Sequence, residues 1–218
     1  MEGFALIREL HRRHFIAAGL LAAMSARIAR AQGRKAVILV LGDSLSAEYG
    51  LARGTGWVAL LEKQLAQDKI SATVVNASVS GETTSGGRSR LAALLAQHQP
   101  THVVIELGGN DALRGLPLKN TEENLAWMTQ AAQQAGARVL LVGMQVPPNY
   151  GTDYANKFAG LFPAVAQARK AAVVPFFLKG VADGPDPTKL FQPDRIHPRA
   201  EAHPQMLANV WPELKKLL

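Results

Sequence analysis

The stretch VILVLGDSLSAEYG (residues 37–50) decides how this chain is read. Its first five residues are apolar without period-two alternation, which predicts a strand covered on both faces. The run ends in Gly42-Asp43-Ser44, so a buried strand delivers a hydroxyl at its carboxyl end. Taken alone, such a tripeptide is a turn and a helix cap. Its weight comes from what the rest of the chain sets beside it.

Further apolar runs follow: TVVNAS, HVVIELGGND, RVLLVGM and AVVPFFL. Between the runs, residues 57–67, 85–97, 121–134 and 154–171 carry apolar side chains at three- and four-residue intervals, the helical period. Asn120 and Thr121 predict the start of the third of these helices, and Gly136 its stop. A last helix is expected over roughly residues 202–218. Strand and helix in alternation predict a doubly wound parallel α/β domain, with right-handed crossovers sending alternate helices to opposite faces. No repeat, low-complexity tract or linker interrupts residues 32–218, which read as one domain. The segment KGVADGPDPTKLFQPDRIHP (residues 179–198) is polar and rich in Pro and Gly. It reads as a long loop, and loops of that length inside a compact domain are usually functional.

The first 31 residues have a different character. Arg8, Arg12 and Arg13 precede FIAAGLLAAMSA, an apolar run too short to cross a bilayer as a helix, and Ala29-Arg30-Ala31 follows. A basic stretch, a short apolar stretch and an A-x-A site predict a cleaved signal peptide over residues 1–31, with export to a bacterial periplasm. RRHF resembles a twin-arginine signal, and Sec export fits the same residues. The competing reading is an amphipathic first helix of the domain. The whole chain carries a net charge of +7, and this segment holds five Arg and two Glu, so its removal leaves +4. With no dense Lys/Arg run, that charge is not a nucleic-acid footprint. The absence of cysteine excludes disulfides, thiolate metal sites and a cysteine nucleophile. The mature chain is expected to be a monomer or weak dimer without stable membrane insertion.

In an open parallel sheet, ligands sit beyond the carboxyl ends of the strands. Four polar clusters fall there: Asp43-Ser44, the NASVSG stretch ending in Gly81, the GGND stretch containing Asn110, and Asp194-Arg195-Ile196-His197 in the long loop. Acyl transfer needs these groups. A serine hydroxyl is a weak nucleophile until a base takes its proton, and imidazole does so near neutral pH. A carboxylate must orient the imidazole and stabilise its cation, and Asp194 lies three residues from His197, within reach in one turn. The developing oxyanion needs donors, which the backbone N–H groups of Ser44 and Gly81 and the amide of Asn110 can supply. Gly81 suits a close approach to substrate because it has no Cβ.

Each piece alone has a structural reading: a strand-ending turn for GGN, a surface histidine for His197. Joint occurrence, in order and each after its proper strand, favours catalysis. His11 and His14 belong to the signal segment, His98 and His102 are expected to cap or solvate structure, and His203 is expected to be exposed. No cluster has metal-ligand spacing. The glycines of GETTSGGRSR match neither a Walker loop nor G-x-G-x-x-G, and the absence of G-x-S-x-G excludes an α/β-hydrolase nucleophile elbow. Candidate walls for a substrate pocket are Asp43, Leu113 and Leu116 in DALRGLPLKN, and Pro148 in MQVPPNYG; ordinary connecting loops explain the last two segments equally well.

With the four clusters in view, the chain resembles the SGNH, or GDSL, hydrolases, in their bacterial thioesterase I/lysophospholipase/arylesterase branch. GDSLS, NASVSGETT, GGND and Asp194-Arg195-Ile196-His197 carry the resemblance, and VPPNYG and IHPRAEAHPQMLANVWP extend it over the whole mature chain. It implies a flavodoxin-like three-layer α/β/α sandwich with five parallel strands in the order 2-1-3-4-5. It also implies a Ser44–His197–Asp194 triad, an oxyanion hole of Ser44, Gly81 and Asn110, and no metal or organic cofactor. Substrates would be small carboxylic esters, acyl thioesters or lysophospholipids, cleaved through an acyl-serine intermediate. Carbohydrate O-acetylesterases use the same triad on a similar scaffold and are the nearest rival; a non-catalytic acyl-binding module is the rival of another class. One departure is visible: Glu48 stands where the branch more often has Gly, adding a negative charge near the nucleophile loop that bears on the preference for acidic head groups such as CoA.

Overall fold

The five apolar runs lie side by side as one parallel sheet. The computed structural model describes residues 35–218, so the signal peptide expected over residues 1–31 lies outside the described residues. The strands are β1 (Ala36–Gly42), β2 (Ala72–Asn76), β3 (His102–Glu106), β4 (Arg138–Val142) and β5 (Ala172–Val174), in the order β2-β1-β3-β4-β5. The helices are α1 (Trp57–Gln67), α2 (Thr84–His98), the short α3 (Gly109–Leu113), α4 (Leu118–Gln134), α5 (Thr152–Arg169) and α6 (His203–Leu217).

Helices cover both faces of the sheet, but they do not alternate strictly. α1 packs with α6, while α2, α4 and α5 pack in a row. The handedness of the crossovers gives the reason. From β1 to β2 the chain moves one way along the sheet; from β2 it reverses, passes over β1, and proceeds through β3, β4 and β5. A right-handed crossover puts its helix on one face or the other according to that direction, so the first connection stands apart from the next three. The reversal opens a crevice between β1 and β3, where ligands collect in such sheets.

Residues 38–41 of β1 expose no surface, and every residue of β3 is buried. Burying one such Leu or Ile stabilises the fold by about 1.5–3 kcal/mol. The expectation of two covered faces fails at β2, where no residue is fully buried. β2 is an edge strand, with a hydrogen-bonded neighbour on one side only. α4 starts three residues before the expected Thr121: Pro117 precedes it at φ −59°, close to the helical value, and Thr121 is buried with its hydroxyl turned to Asp111. Gly136 ends that helix as expected, at φ +87°.

His203 is not exposed. It is buried, and its Nδ1 accepts the backbone N–H of Trp57, the first residue of α1, at 3.0 Å. Burial pushes its imidazole down from the ordinary value, in keeping with a nitrogen that must stay unprotonated to accept. His102 is structural as expected, bonded to Thr101 Oγ1 and the carbonyl of Leu217 at 2.8 Å each.

Candidate active site

β1 ends at Gly42, and the next residues form a turn held by Asp43. The Asp43 carbonyl accepts from the N–H groups of Ser46 and Ala47, and Oδ1 accepts from Leu45 N at 3.0 Å. Oδ2 accepts from Asn110 Nδ2 at 3.0 Å. Asp43 is therefore buried with both carboxylate oxygens engaged, and does not form an open pocket wall as expected. It braces the turn on which Ser44 stands.

Beneath that turn lies a residue the sequence reading passed over. Glu106, the last residue of β3, is buried; its Oε2 accepts from Ser46 Oγ at 2.7 Å and from Asp43 N at 3.4 Å. Trp57 Nε1 donates to the same Ser46 hydroxyl at 3.0 Å. The packing is tight enough to require glycine at 42, where a Cβ would lie 2.7 Å from Ser46 Oγ and 2.9 Å from Glu106 Oε2. Burial, and then the charge of Asp43, push Glu106 well above the ordinary carboxylate range. Burial also raises Asp43 to about 6, against the hydrogen bonds from Leu45 and Asn110 and the charge of His197. Two carboxyl groups this close do not both ionise readily, so Glu106 keeps its proton and Asp43 carries the charge. The signal was present: a carboxyl group within the otherwise apolar VVIE must be partnered or neutral.

Folded Glu106 holds its proton where the unfolded chain has lost it. Its contribution is full below the ordinary value of 4.5 and falls as pH rises above it. Glu106→Gln keeps the shape and cannot ionise, so its melting temperature will rise relative to wild type between about pH 4 and about pH 8. Thermal denaturation at both pH values checks this, and a relative fall would mean that Glu106 is ionised in the fold.

The long loop brings Asp194 and His197 to Ser44. His197 Nε2 lies 2.9 Å from Ser44 Oγ, across 153 residues of sequence, and His197 Nδ1 lies 2.7 Å from Asp194 Oδ2. A carboxylate only accepts, so Nδ1 carries the proton and Nε2 is left to accept from the serine. Asp194 Oδ1 accepts the N–H groups of Ile196 and His197 at 3.0 Å each. Desolvation pushes Asp194 up, but those two backbone bonds and the imidazole outweigh it and hold the carboxyl at about 2. The Tyr49 ring packs on the imidazole with centroids 4.3 Å apart.

The remaining candidates are tied to the same rim. Gly81 stands at φ +78°, and a Cβ there would meet only Arg114 Nη2, at 3.5 Å. Backbone conformation, rather than crowding by the protein, accounts for glycine here. Arg114 donates to the Gly81 carbonyl at 2.8 Å, and Asp111 accepts from Thr84 N at 2.8 Å, so the loop bearing Gly81 is joined to the segment bearing Asn110. Among the described residues, the N–H groups of Ser44 and Gly81 have no protein acceptor. Leu113 and Leu116 are exposed, at 44% and 36%. The Pro148 side chain lies outside what the structure describes. Glu48, at φ 58°, turns its carboxylate back onto its own loop, where it accepts from Gly54 N and Gly56 N, the latter at 2.7 Å. Among the described residues no group of three or more His, Asp or Glu is arranged to hold a metal ion.

The chain belongs to the GDSL-like lipase/acylhydrolase family, whose model matches residues 40–204. It is 51% identical to the esterase TesA of Pseudomonas aeruginosa over 86% of this chain and 92% of that protein. It is 41% identical to an arylesterase of Vibrio mimicus over 83% of this chain and 89% of that protein. It is 43% identical to thioesterase 1/protease 1/lysophospholipase L1 of Escherichia coli K12 over 77% of each. A crystal structure of TesA superposes with a TM-score of 0.80 at 52% identity, over 84% of this chain and 99% of that one.

Proposed function

We propose that this protein hydrolyses carboxylic esters and acyl thioesters, lysophospholipids among them, through an acyl-enzyme formed on Ser44. The observation that carries this reading is the unbroken chain from the Asp194 carboxylate through both nitrogens of His197 to the Ser44 hydroxyl. His197 Nε2 takes the Ser44 proton as Oγ attacks the carbonyl carbon, and the carbonyl oxygen becomes an oxyanion facing the Ser44 and Gly81 N–H groups and the Asn110 amide. His197 then gives its proton to the departing alcohol or thiol. Water attacks the acyl-Ser44 with His197 again as base, releasing the acid and the free serine. The relatives' names, esterase, arylesterase and thioesterase/lysophospholipase, support this substrate range over acetyl-only cleavage of a carbohydrate.

Leu113 and Leu116, with Val79, Tyr49 and Ile196 on neighbouring loops, are exposed apolar side chains suited to an acyl chain. Hydrolysis of a p-nitrophenyl ester series by the mature protein tests this: activity extending to medium chains is expected, and activity confined to acetyl would move the assignment to an O-acetylesterase. Residues 1–31 are proposed as an export signal removed from the mature enzyme, and residues 32–218 as its single domain. No helix among the described residues is long and apolar enough to cross a membrane.

Asn110→Ala should lower kcat on the order of a hundredfold or more with KM less affected, since the amide acts on charge that develops only in the transition state. Steady-state kinetics on p-nitrophenyl butyrate decide it; a change confined to KM would remove Asn110 from the oxyanion role.

A further inference from the structure

The serine and its base sit on segments that meet only through tertiary contacts, so something must set their separation. Among the described residues, outside the Ser44–His197 contact, the polar bridge between those segments runs through one side chain, Gln192. Its Nε2 donates to the carbonyl of Tyr49 at 3.0 Å, on the nucleophile segment 143 residues away, and to the carbonyl of Pro198 at 3.2 Å, directly after His197. Its backbone joins the same turn: Gln192 N donates to the His197 carbonyl at 2.8 Å, and the Gln192 carbonyl accepts from Arg195 N at 2.9 Å. The Asp194–His197 turn is thus closed at its base by Gln192, and the same residue reaches across to the other half of the site.

The nucleophile segment is shaped to receive it. Gly50, next to Tyr49, stands at φ +70°, and a Cβ there would lie 2.2 Å from Gln192 Oε1. The carboxamide occupies space that any other residue at 50 would fill. Its Tyr49 partner also lays its ring on the His197 imidazole. The turn needs such a tether: Asp194, Arg195 and Ile196 are exposed, and Arg195 itself stands at φ 58°.

We propose that Gln192 is a positioning residue: its side-chain amide, shared between the Tyr49 and Pro198 carbonyls, fixes the His197 turn against the Ser44 segment and so sets the serine–imidazole hydrogen bond. This rests on Ser44 and His197 acting as nucleophile and base. Gln192 does not touch the reacting atoms. Its effect is on the fraction of time in which Nε2 is placed to take the serine proton, and a misplacement of about 1 Å can cost on the order of a hundredfold in rate.

The test uses the mature enzyme carrying Gln192→Met, which keeps length and volume but has no N–H to donate. Steady-state kinetics on p-nitrophenyl butyrate, the rate of labelling by a fluorophosphonate, and thermal melting are measured together. The expected result is a loss in kcat between about tenfold and about a hundredfold with KM nearly unchanged, and a parallel slowing of labelling in folded protein. A role in folding alone would lower the melting point and leave kcat per folded molecule intact. Should the Met variant not fold, Gln192→Glu is read in the same way, since it keeps the shape and replaces the donor with an acceptor facing two carbonyl oxygens. Wild-type kcat and labelling rate in either folded variant would overturn the proposal. Failure of the wild type to be labelled at Ser44 would instead overturn the reading on which it rests.

Discussion

Ser44→Ala will abolish measurable ester turnover and all fluorophosphonate labelling while leaving the fold intact. Removing the nucleophile from a serine–histidine–aspartate unit costs on the order of a millionfold in kcat, because the rest of the unit has nothing to activate. The prediction of an intact fold comes from the turn itself. Asp43, Ser46 and Glu106 brace it, whereas among the described residues the Ser44 hydroxyl bonds only to His197. Deleting that oxygen strands no buried group. Circular dichroism and melting should match wild type, and turnover of p-nitrophenyl esters equal to wild type would end the assignment of the nucleophile.

The second large effect is expected at Asp194. Asn at this position keeps an oxygen for the Ile196 and His197 N–H groups but can turn a donor toward His197 Nδ1. The imidazole then carries its proton on Nε2, the nitrogen that must accept from Ser44. A change of this kind costs about 10⁴ in kcat where it has been made in a serine protease, and a loss of that order is expected for Asp194→Asn. A loss below about tenfold would mean that the carboxylate does not set the tautomer. The same residue has a pH signature. Its carboxyl is held below the ordinary 3.8, at about 2, so whatever stability it gives is present above 3.8 and is lost as pH falls toward 2. Wild type and variant should converge in melting temperature over that interval. The contribution is modest because Asp194 is 38% exposed and screened by water.

The strands were legible because burial on two faces leaves an unmistakable mark: VILVL and HVVIE have no alternation. Where that burial is incomplete, at the edge strand β2, the same apolar composition predicted too much. The start of α4 is not legible in sequence because Asn120 and Thr121 look like caps, whereas Pro117 precedes the helix and Thr121 bonds Asp111. The four polar clusters could be assembled from the topology alone, since it sends strand ends to one rim. What could not be read were the groups that hold those clusters. Glu106, Ser46 and Trp57 are joined only in three dimensions, and nothing local marks Gln192 or the buried His203. Glu48 was legible as a departure but not in its effect, because its partners are backbone amides six and eight residues on.

The separation of Ser44 from His197 by 153 residues has a consequence for the chain's biogenesis. Strand β1, which carries Ser44 at its end, lies inside the sheet between β2 and β3 and is made before the other four strands, while His197 follows β5 and precedes α6. On the roles proposed for Ser44 and His197, a chain that stops before residue 197 carries the serine without its base. On those roles, hydrolytic competence arrives only once the segment bearing His197 has been made and has docked against Ser44. During refolding from denaturant, recovery of esterase activity should lag recovery of helical signal and mark that docking event, which makes the enzyme a reporter on its own final folding step.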